Sequence, residues 1–331
     1  MTGGHITALT GATGFIGRHA LRALLADGWR VRALARDPAR LALDEDMKAR
    51  VEIVPGALED EAALKALLRG ADAVVHLAGL VKAARREDFE MVNVRAAARL
   101  ARIAAQEGAR RFVHVSSLAA REPKLSPYAA SKRRSEEAVL EACGGMSCVI
   151  VRPPAVYGPG DAATLGLVDQ LSRRHAFLPG APGGRVSLIH GRDLAAALAA
   201  LARGEGGNGE RLEIDDGKAG GYSLPELGEI AGRALGRAVH VHFLPRALVR
   251  AAGLGADVIS GLTGRAFMLS RAKANELYHD DWVARGPKVG DKAEWRARLG
   301  FAEGFLDALR WYCEKGWLPR NRLPENSGTG G

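Results

Sequence analysis

An α/β fold built on a doubly wound parallel sheet is predicted by three features of the 331-residue sequence. Short apolar runs alternate with Ala/Leu/Arg-rich stretches of helical period through the first half. The first run ends in a Gly-x-x-Gly-x-x-Gly turn formed by Gly11, Gly14 and Gly17. After about residue 155 the alternation loosens into glycine- and proline-rich segments, which predicts a smaller C-terminal lobe. Strands nearly continuous in Val, Ile and Leu suit a sheet covered by helices on both faces. Right-handed crossovers between such strands give Rossmann-type layering.

The strand-like runs are His5–Leu9, Arg30–Ala35, Val51–Val54, Ala73–Leu77, Phe112–Val115 and Cys148–Val151. Between them, helical periodicity covers Phe15–Ala26, Glu61–Leu68, Phe89–Gln106 and Tyr128–Glu141. Further on, a helix over Arg192–Leu201 and a strand over Arg211–Ile214 are expected to return to the main sheet. Ser223 precedes Leu-Pro-Glu and starts a helix, because Ser caps and Pro suits the first turn. Residues 1–155, with returning elements around 186–216, therefore read as a dinucleotide-binding domain. Residues 156–185 and 217–320 read as a substrate-binding lobe, and 321–331 as a frayed tail.

Composition narrows the function. There are 47 Lys and Arg against 38 Asp and Glu, a formal charge of +9. The excess is scattered, its densest runs are two or three residues long, and aromatics make up 5%. Nucleic-acid binding wants a basic stripe with stacking aromatics, so no nucleic acid is expected. A small polyanion such as a dinucleotide suits the same charge. The cysteines are Cys143, Cys148 and Cys313, an odd number without Cys-x-x-Cys. This excludes a disulfide framework or a zinc ribbon and points to a reducing cytoplasm. No metal site is expected, and His76 and His114, in strand-like runs, read as core histidines. The stretch Ala247–Leu269 is broken by Arg250, Asp257, Arg265 and four glycines, so no membrane-spanning segment is expected. It remains open as a pocket-lining or membrane-grazing helix.

The glycine turn has a physical use. One glycine allows the tight strand-to-helix turn, a second lets the backbone approach a pyrophosphate, and a third lets helix and strand pack closely. The helix start behind it offers unpaired N–H groups to an anion. Thr13, Phe15 and Ile16 lie within this turn. Arg36 ends the second strand, nineteen residues past Gly17. An acid near that offset would bond the ribose hydroxyls of NAD, whereas Arg accommodates the 2′-phosphate of NADP. This reading favours NADP(H). NAD(H) stays possible, with Asp37 on the ribose. The third strand ends Pro55-Gly56-Ala57-Leu58, where the adenine is expected to pass.

Tyr128 and Lys132 stand at i and i+4 and so share one helical face. A nearby ammonium favours the phenolate of a tyrosine, which otherwise titrates near pH 10. Such a tyrosine can exchange a proton with a substrate oxygen while hydride moves to or from nicotinamide. Ser116-Ser117 ends the preceding strand, at the sheet edge where ligands sit.

With these residues the sequence resembles the extended branch of the short-chain dehydrogenase/reductase superfamily, the NAD-dependent epimerase/dehydratase family. Further matches are His76-Leu77-Ala78-Gly79, Asn93-Val94, Arg152-Pro153-Pro154-Ala155-Val156-Tyr157-Gly158-Pro159-Gly160-Asp161, Asp193-Leu194-Ala195 and Trp311-Tyr312 with Gly316-Trp317-Leu318. The resemblance implies that Tyr128 is the acid/base and that Lys132 lowers its pKa and holds the nicotinamide ribose. It implies that Ser117, with Ser116 as the fallback, holds the substrate oxygen. Ala78 and Gly79 would pass beside the cofactor, Pro153 would lie near the nicotinamide, and Leu58 would pack the adenine. A homodimer through Phe89–Gln106 and Tyr128–Glu141 is also implied as a possibility.

The departures bear on substrate. Many sugar-nucleotide members carry Asn where Ala155 stands, and sugar dehydratases have Asp-Glu where Leu118-Ala119 follow Ser117. A dehydratase is therefore excluded. The expected function is an NAD(P)-dependent oxidoreductase that interconverts a small-molecule ketone and secondary alcohol. A nucleotide-sugar epimerase with retained NAD and a non-catalytic cofactor-binding accessory subunit stand as alternatives.

Overall fold

The computed structural model describes residues 5–41, 43–204 and 206–324. Six strands open the chain: β1 (Ile6–Thr10), β2 (Arg30–Ala35), β3 (Val51–Pro55), β4 (Ala73–His76), β5 (Arg111–Val115) and β6 (Ser147–Arg152). Among them lie helices α1 (Phe15–Ala26), α2 (Glu45–Lys48), α3 (Glu61–Leu68), α4 (Arg86–Phe89), α5 (Ala97–Gln106) and α6 (Pro127–Cys143). Then follow β7 (Ala155–Tyr157), α7 (Leu165–Leu171), β8 (His175–Pro179), β9 (Arg185–Val186), β10 (Leu188–His190), α8 (Gly191–Arg203) and β11 (Arg211–Glu213). The remainder holds α9 (Leu224–Leu235), β12 (His240–Leu244), α10 (Arg246–Thr263), α11 (Arg271–Leu277), β13 (Asp281–Trp282) and α12 (Phe301–Glu314).

Seven strands form one sheet in the order β11-β6-β5-β4-β1-β2-β3, with every pairing parallel. The order reverses on either side of β1 and β4, which is the doubly wound, Rossmann-type arrangement the alternating runs predicted. The sheet is buried as those runs required: every residue of β4 and β5 is buried. Leu64, Leu67 and Leu68 of α3 and Leu100, Ala101 and Ala104 of α5 pack into its core with Phe112 and Ile150.

Local chemistry sets the helix starts. Asp60 accepts from Ala63 N to cap α3. Ser126 accepts from Ala129 N to cap α6, and Pro127 follows at the first turn. Ser223 and Glu226 form a reciprocal capping box on α9, and Gly236 closes that helix in the left-handed region. One expectation is corrected: Phe89–Gln106 is not a continuous α-helix. Residues Glu90–Ala96 form a π-helical turn between α4 and α5.

The chain divides into two units. The first is Met1–Pro153, Leu194–Ile214 and Arg285–Arg296; the second is Pro154–Asp193, Asp215–Ala284 and Ala297–Gly331. The late segment Arg285–Arg296 joins the first unit because Glu213 at the end of β11 accepts from Arg285 N and Gly286 N at 2.7 and 2.9 Å. Nothing in the periodicity marks that return. The second unit has its own core, in which Tyr157, Phe301, Phe305 and Tyr312 pack with Leu171, Leu227 and Leu309. His190 ends β10, fully buried and edge-on to Tyr157. Of the tail expected to fray over 321–331, Arg320–Arg322 form a 3-10 turn, and residues 325–331 lie outside the described residues. No described helix is long and apolar enough to cross a membrane.

Candidate active site

The glycine turn sits between β1 and α1 at the centre of the sheet. Gly11 has a φ of +76°, and a Cβ there would lie 2.8 Å from Ala78 N. A Cβ on Gly17 would lie 1.9 Å from Gly11 O, so the helix can approach the turn only without one. Gly14 is exposed and caps α1 with no side-chain hydrogen bond, and the first turn of α1 holds no acid. The N–H groups of this helix start therefore have no side-chain cap and no acid within their own turn. Thr13, Phe15 and Ile16 are half-buried beside it. This cradle of close backbone and an uncapped helix start fits a dinucleotide pyrophosphate.

The turn is fastened to the end of β4. Thr10 Oγ1 lies 2.6 Å from His76 Nδ1 and 3.3 Å from Ala78 N, which donates to it. Ala78 is half-buried and Gly79 exposed. Next along, Leu80 N donates to Asn93 Oδ1 at 2.7 Å, and Asn93 Nδ2 donates to Leu80 O and to Ser131 Oγ at 2.9 and 3.0 Å. Asn93 lies in the π-helical turn, so this irregularity carries the amide that holds the Ala78–Leu80 loop against α6. A π-helical turn within an α-helix commonly marks a functional site.

Lys132 reaches the C-terminal end of β5, where Ser117 follows two residues beyond the strand, and Tyr128 stands one helical turn before Lys132 on α6. Lys132 Nζ donates to Val115 O at 2.8 Å, one residue before the serine pair. A Cβ on Gly79 would stand 3.9 Å from the same Nζ. Burial pushes the Lys132 ammonium down to about 8, opposed by Glu136 one turn further along α6. Tyr128 is half-buried, with its ring 6.2 Å from that of Phe89. Ser117 is half-buried and accepts from Ala119 N at 3.2 Å, while Leu118 N donates to Pro153 O at 2.8 Å. Pro153 is buried, so it ties the end of β6 to the serine loop.

The two serines differ in what holds them. Ser116 is buried and donates to Glu136 Oε1 at 2.6 Å. Glu136 is fully buried and also accepts from Arg152 Nε and Nη2 at 2.8 and 2.6 Å and from Arg211 Nε at 3.1 Å. Sequence reasoning missed this carboxylate, although Tyr128, Lys132 and Glu136 recur every four residues on one face of α6. Beneath the site His76 and His114 stack at 5.3 Å, each bonded through one ring nitrogen, His114 to Ser135 Oγ. Burial, reinforced by Lys132, holds His76 down near 3 and His114 well below its usual value, so both are neutral.

Arg36 is exposed just past β2, whereas Asp37 Oδ1 accepts from Ala39 N at 3.1 Å and caps a 3-10 turn. Leu58 is 8% exposed and packs into the sheet's core, which leaves little of its side chain for a ligand. Arg185 is engaged by Gly220 O, Gly221 O and Glu226. Among the described residues no three His, Cys, Asp or Glu side chains cluster to hold a metal.

Comparison with known proteins identifies the family. Residues 7–214 match the model of the NAD dependent epimerase/dehydratase family. The chain is 42% identical to the ceramide reductase of Caulobacter vibrioides over 317 residues, covering 96% of this chain and 97% of that protein. It is 32% identical over 333 residues to a 4-hydroxy-2-methyl-3-oxo-4-farnesyl-3,4-dihydroquinoline-1-oxide ketoreductase of Stigmatella aurantiaca, covering 92% and 95%. Among solved structures, MoeE5 in complex with UDP-glucose and NAD superposes with a TM-score of 0.71 at 22% identity, covering 94% of this chain and 99% of that one. The last likeness is one of fold. The chain belongs to the NAD-dependent epimerase/dehydratase family, the extended branch of the short-chain dehydrogenase/reductases, and is an NAD(P)-dependent oxidoreductase.

Proposed function

We propose that this enzyme reduces a ketone on a ceramide-type lipid to a secondary alcohol, with NADP(H) as the preferred cofactor and NAD(H) as the weaker one. The observation that supports the reading is Lys132 anchored on Val115 O at the end of β5, two residues before Ser117 and one helical turn after Tyr128, in a chain 42% identical to a ceramide reductase. When bound, the nicotinamide supplies hydride to the carbonyl carbon. Ser117 Oγ donates a hydrogen bond to the carbonyl oxygen. Tyr128 Oη gives that oxygen its proton as the C=O π pair moves onto it, so the ketone becomes an alcohol and the tyrosine a phenolate. Lys132, anchored at Val115 O, stabilises that phenolate and holds the ribose.

Ser117 takes the substrate role because Ser116 already gives its proton to Glu136. Arg36 takes the cofactor's 2′-phosphate because Asp37, its rival for the ribose, is engaged in a cap. Gly11, Thr13, Gly14, Phe15, Ile16 and Gly17 hold the pyrophosphate, Ala78, Gly79 and Pro153 flank the nicotinamide end, and Leu58 lies near the adenine. Pairing of two copies through α5 and α6 belongs to the same proposal, and light scattering of the purified protein measures it.

The test is a spectrophotometric assay at 340 nm with a long-chain keto amide, a short water-soluble ketone and UDP-glucose. The proposal expects NADPH consumption with the keto amide, slower turnover of the short ketone and none with UDP-glucose. Turnover of UDP-glucose with no net change in cofactor redox state would replace it with the epimerase reading. No turnover of any ketone with either cofactor would overturn it in favour of an accessory role.

A further inference from the structure

Of the eleven large hydrophobic side chains most exposed among the described residues, seven lie between positions 248 and 268. They are Leu248, Leu254, Val258, Ile259 and Leu262 on α10, with Phe267 and Met268 just beyond it. At about 100° per residue the helix resolves into three sectors. Val249, Gly253, Ala256 and Ser260 form the inner one, with Val249 and Gly253 buried and the other two half-buried. Gly253 lets α10 close on the start of α11, since a Cβ there would stand 2.7 Å from Ser270 O. Arg246, Arg250 and Asp257 occupy a narrow polar sector. The remaining arc, roughly 160° wide, carries Leu248, Ala251, Ala252, Leu254, Val258, Ile259 and Leu262, all exposed to solvent. A water-exposed helix ordinarily turns its apolar stripe inward. Here the outer apolar arc is the wider of the two.

Four of the five charges over residues 246–271 are positive. Arg246, Arg250, Arg265 and Arg271 are exposed, and none of the four forms an ion pair among the described residues. The single acid in the segment, Asp257, is already engaged through Oδ2, which accepts from Arg271 N at 3.0 Å. An amphipathic helix with arginines beside a broad apolar face lies in the plane of a lipid–water interface, its apolar side chains among the acyl chains and its arginines at the headgroup phosphates. A second copy fits less well, because a two-fold pairing of this face would set the same cationic rim against itself. We infer that α10, with Phe267 and Met268, is a peripheral membrane-docking surface that takes an anionic phospholipid bilayer.

This inference rests on the surface alone and stands apart from the substrate reading, so its test uses neither substrate nor turnover. The purified full chain is sedimented with vesicles of phosphatidylcholine alone and of phosphatidylcholine with phosphatidylglycerol. Binding to the anionic vesicles is expected, with at least tenfold less to the neutral ones. It should weaken strongly in 1 M salt, where the Debye length falls to about 3 Å. Leu254→Gln/Val258→Gln/Leu262→Gln should reduce anionic-vesicle binding at least tenfold while circular dichroism and NADPH affinity stay unchanged. Arg246→Gln/Arg250→Gln should reduce the preference for anionic over neutral vesicles. Absence of binding to either vesicle, equal binding to both, or binding unaffected by the triple variant would overturn the inference. A triple variant that turns a dimer into a monomer without altering vesicle binding would also overturn it and assign the face to a second copy.

Discussion

Replacing Glu136 by Gln tests the buried network beneath the serine pair. The carboxylate is inaccessible to solvent and balances Arg152, whose side chain is 9% exposed, through two short hydrogen bonds. Taking the charge from one partner of a buried pair leaves the other uncompensated and costs about 3–5 kcal/mol. Two features pull the value toward the lower end. Gln keeps an oxygen that can still accept from Ser116, and Arg211, a third exposed, can turn to water. The expected loss is therefore about 3 kcal/mol, which at roughly 2–4 °C per kcal/mol lowers Tm by about 6–12 °C. Differential scanning calorimetry and urea unfolding of the variant measure it. Adding Arg152→Met removes the stranded charge and should restore at least half of the loss, because an apolar replacement of a buried pair is often near neutral. A loss below about 1 kcal/mol, or a double variant no better than the single one, would refute this account of the network.

Three further outcomes follow from the same geometry. Gly17→Ala places a Cβ 1.9 Å from Gly11 O, against a nearest approach of 3.2 Å for Gly14→Ala; isothermal titration should show NADPH affinity falling at least tenfold in the first and much less in the second. Arg36→Ala should weaken NADPH about tenfold, or about 1.4 kcal/mol, and leave NADH unchanged in a fluorescence titration; equal losses for both cofactors would return the ribose to Asp37. Lys132 is protonated below about pH 8, so kcat/KM should fall as pH rises through that value, and Lys132→Arg should remove the alkaline limb from whatever activity it retains. Stability moves the other way. Between about 8 and the ordinary lysine value the unfolded chain holds the proton that the folded chain has released, so folding gains with pH. Relative to Lys132→Met, denaturant titrations across that window should show wild type gaining on the order of 3 kcal/mol.

Much of the fold could be read from the chain because burial on both faces leaves a direct trace. Strands such as Val51–Pro55 and Ser147–Arg152 have cores of Val and Ile, and Gly11, Gly14 and Gly17 stand where a Cβ would meet backbone. The Tyr128/Lys132 spacing was equally plain, because both lie on one helix. What stayed hidden depends on distant partners. Ser116 and Ser117 are adjacent and chemically alike, and burial together with the hydrogen bond from Ser116 to Glu136, twenty residues on, separates their situations. The Glu136 network joins β6, β11 and α6 across 16 and 75 residues, and periodicity carries no signal at that range. The π-helical turn at Glu90–Ala96 was missed because its apolar spacing differs from an α-helix by too little over seven residues. Arg250 and Asp257 interrupt Ala247–Leu269 as a spanning run, yet they share one polar sector of α10 and leave its outer arc apolar.

The central claim is that Tyr128 protonates the oxygen of a ketone held by Ser117 while Lys132 stabilises the phenolate. It is tested most directly by single-turnover oxidation of bound NADPH by a long-chain keto amide in wild type and Tyr128→Phe. The account predicts that the variant binds NADPH as wild type does and loses at least 100-fold in the rate of oxidation, the low end for a general acid. A Tyr128→Phe enzyme that oxidises NADPH within a few-fold of the wild-type rate would contradict it.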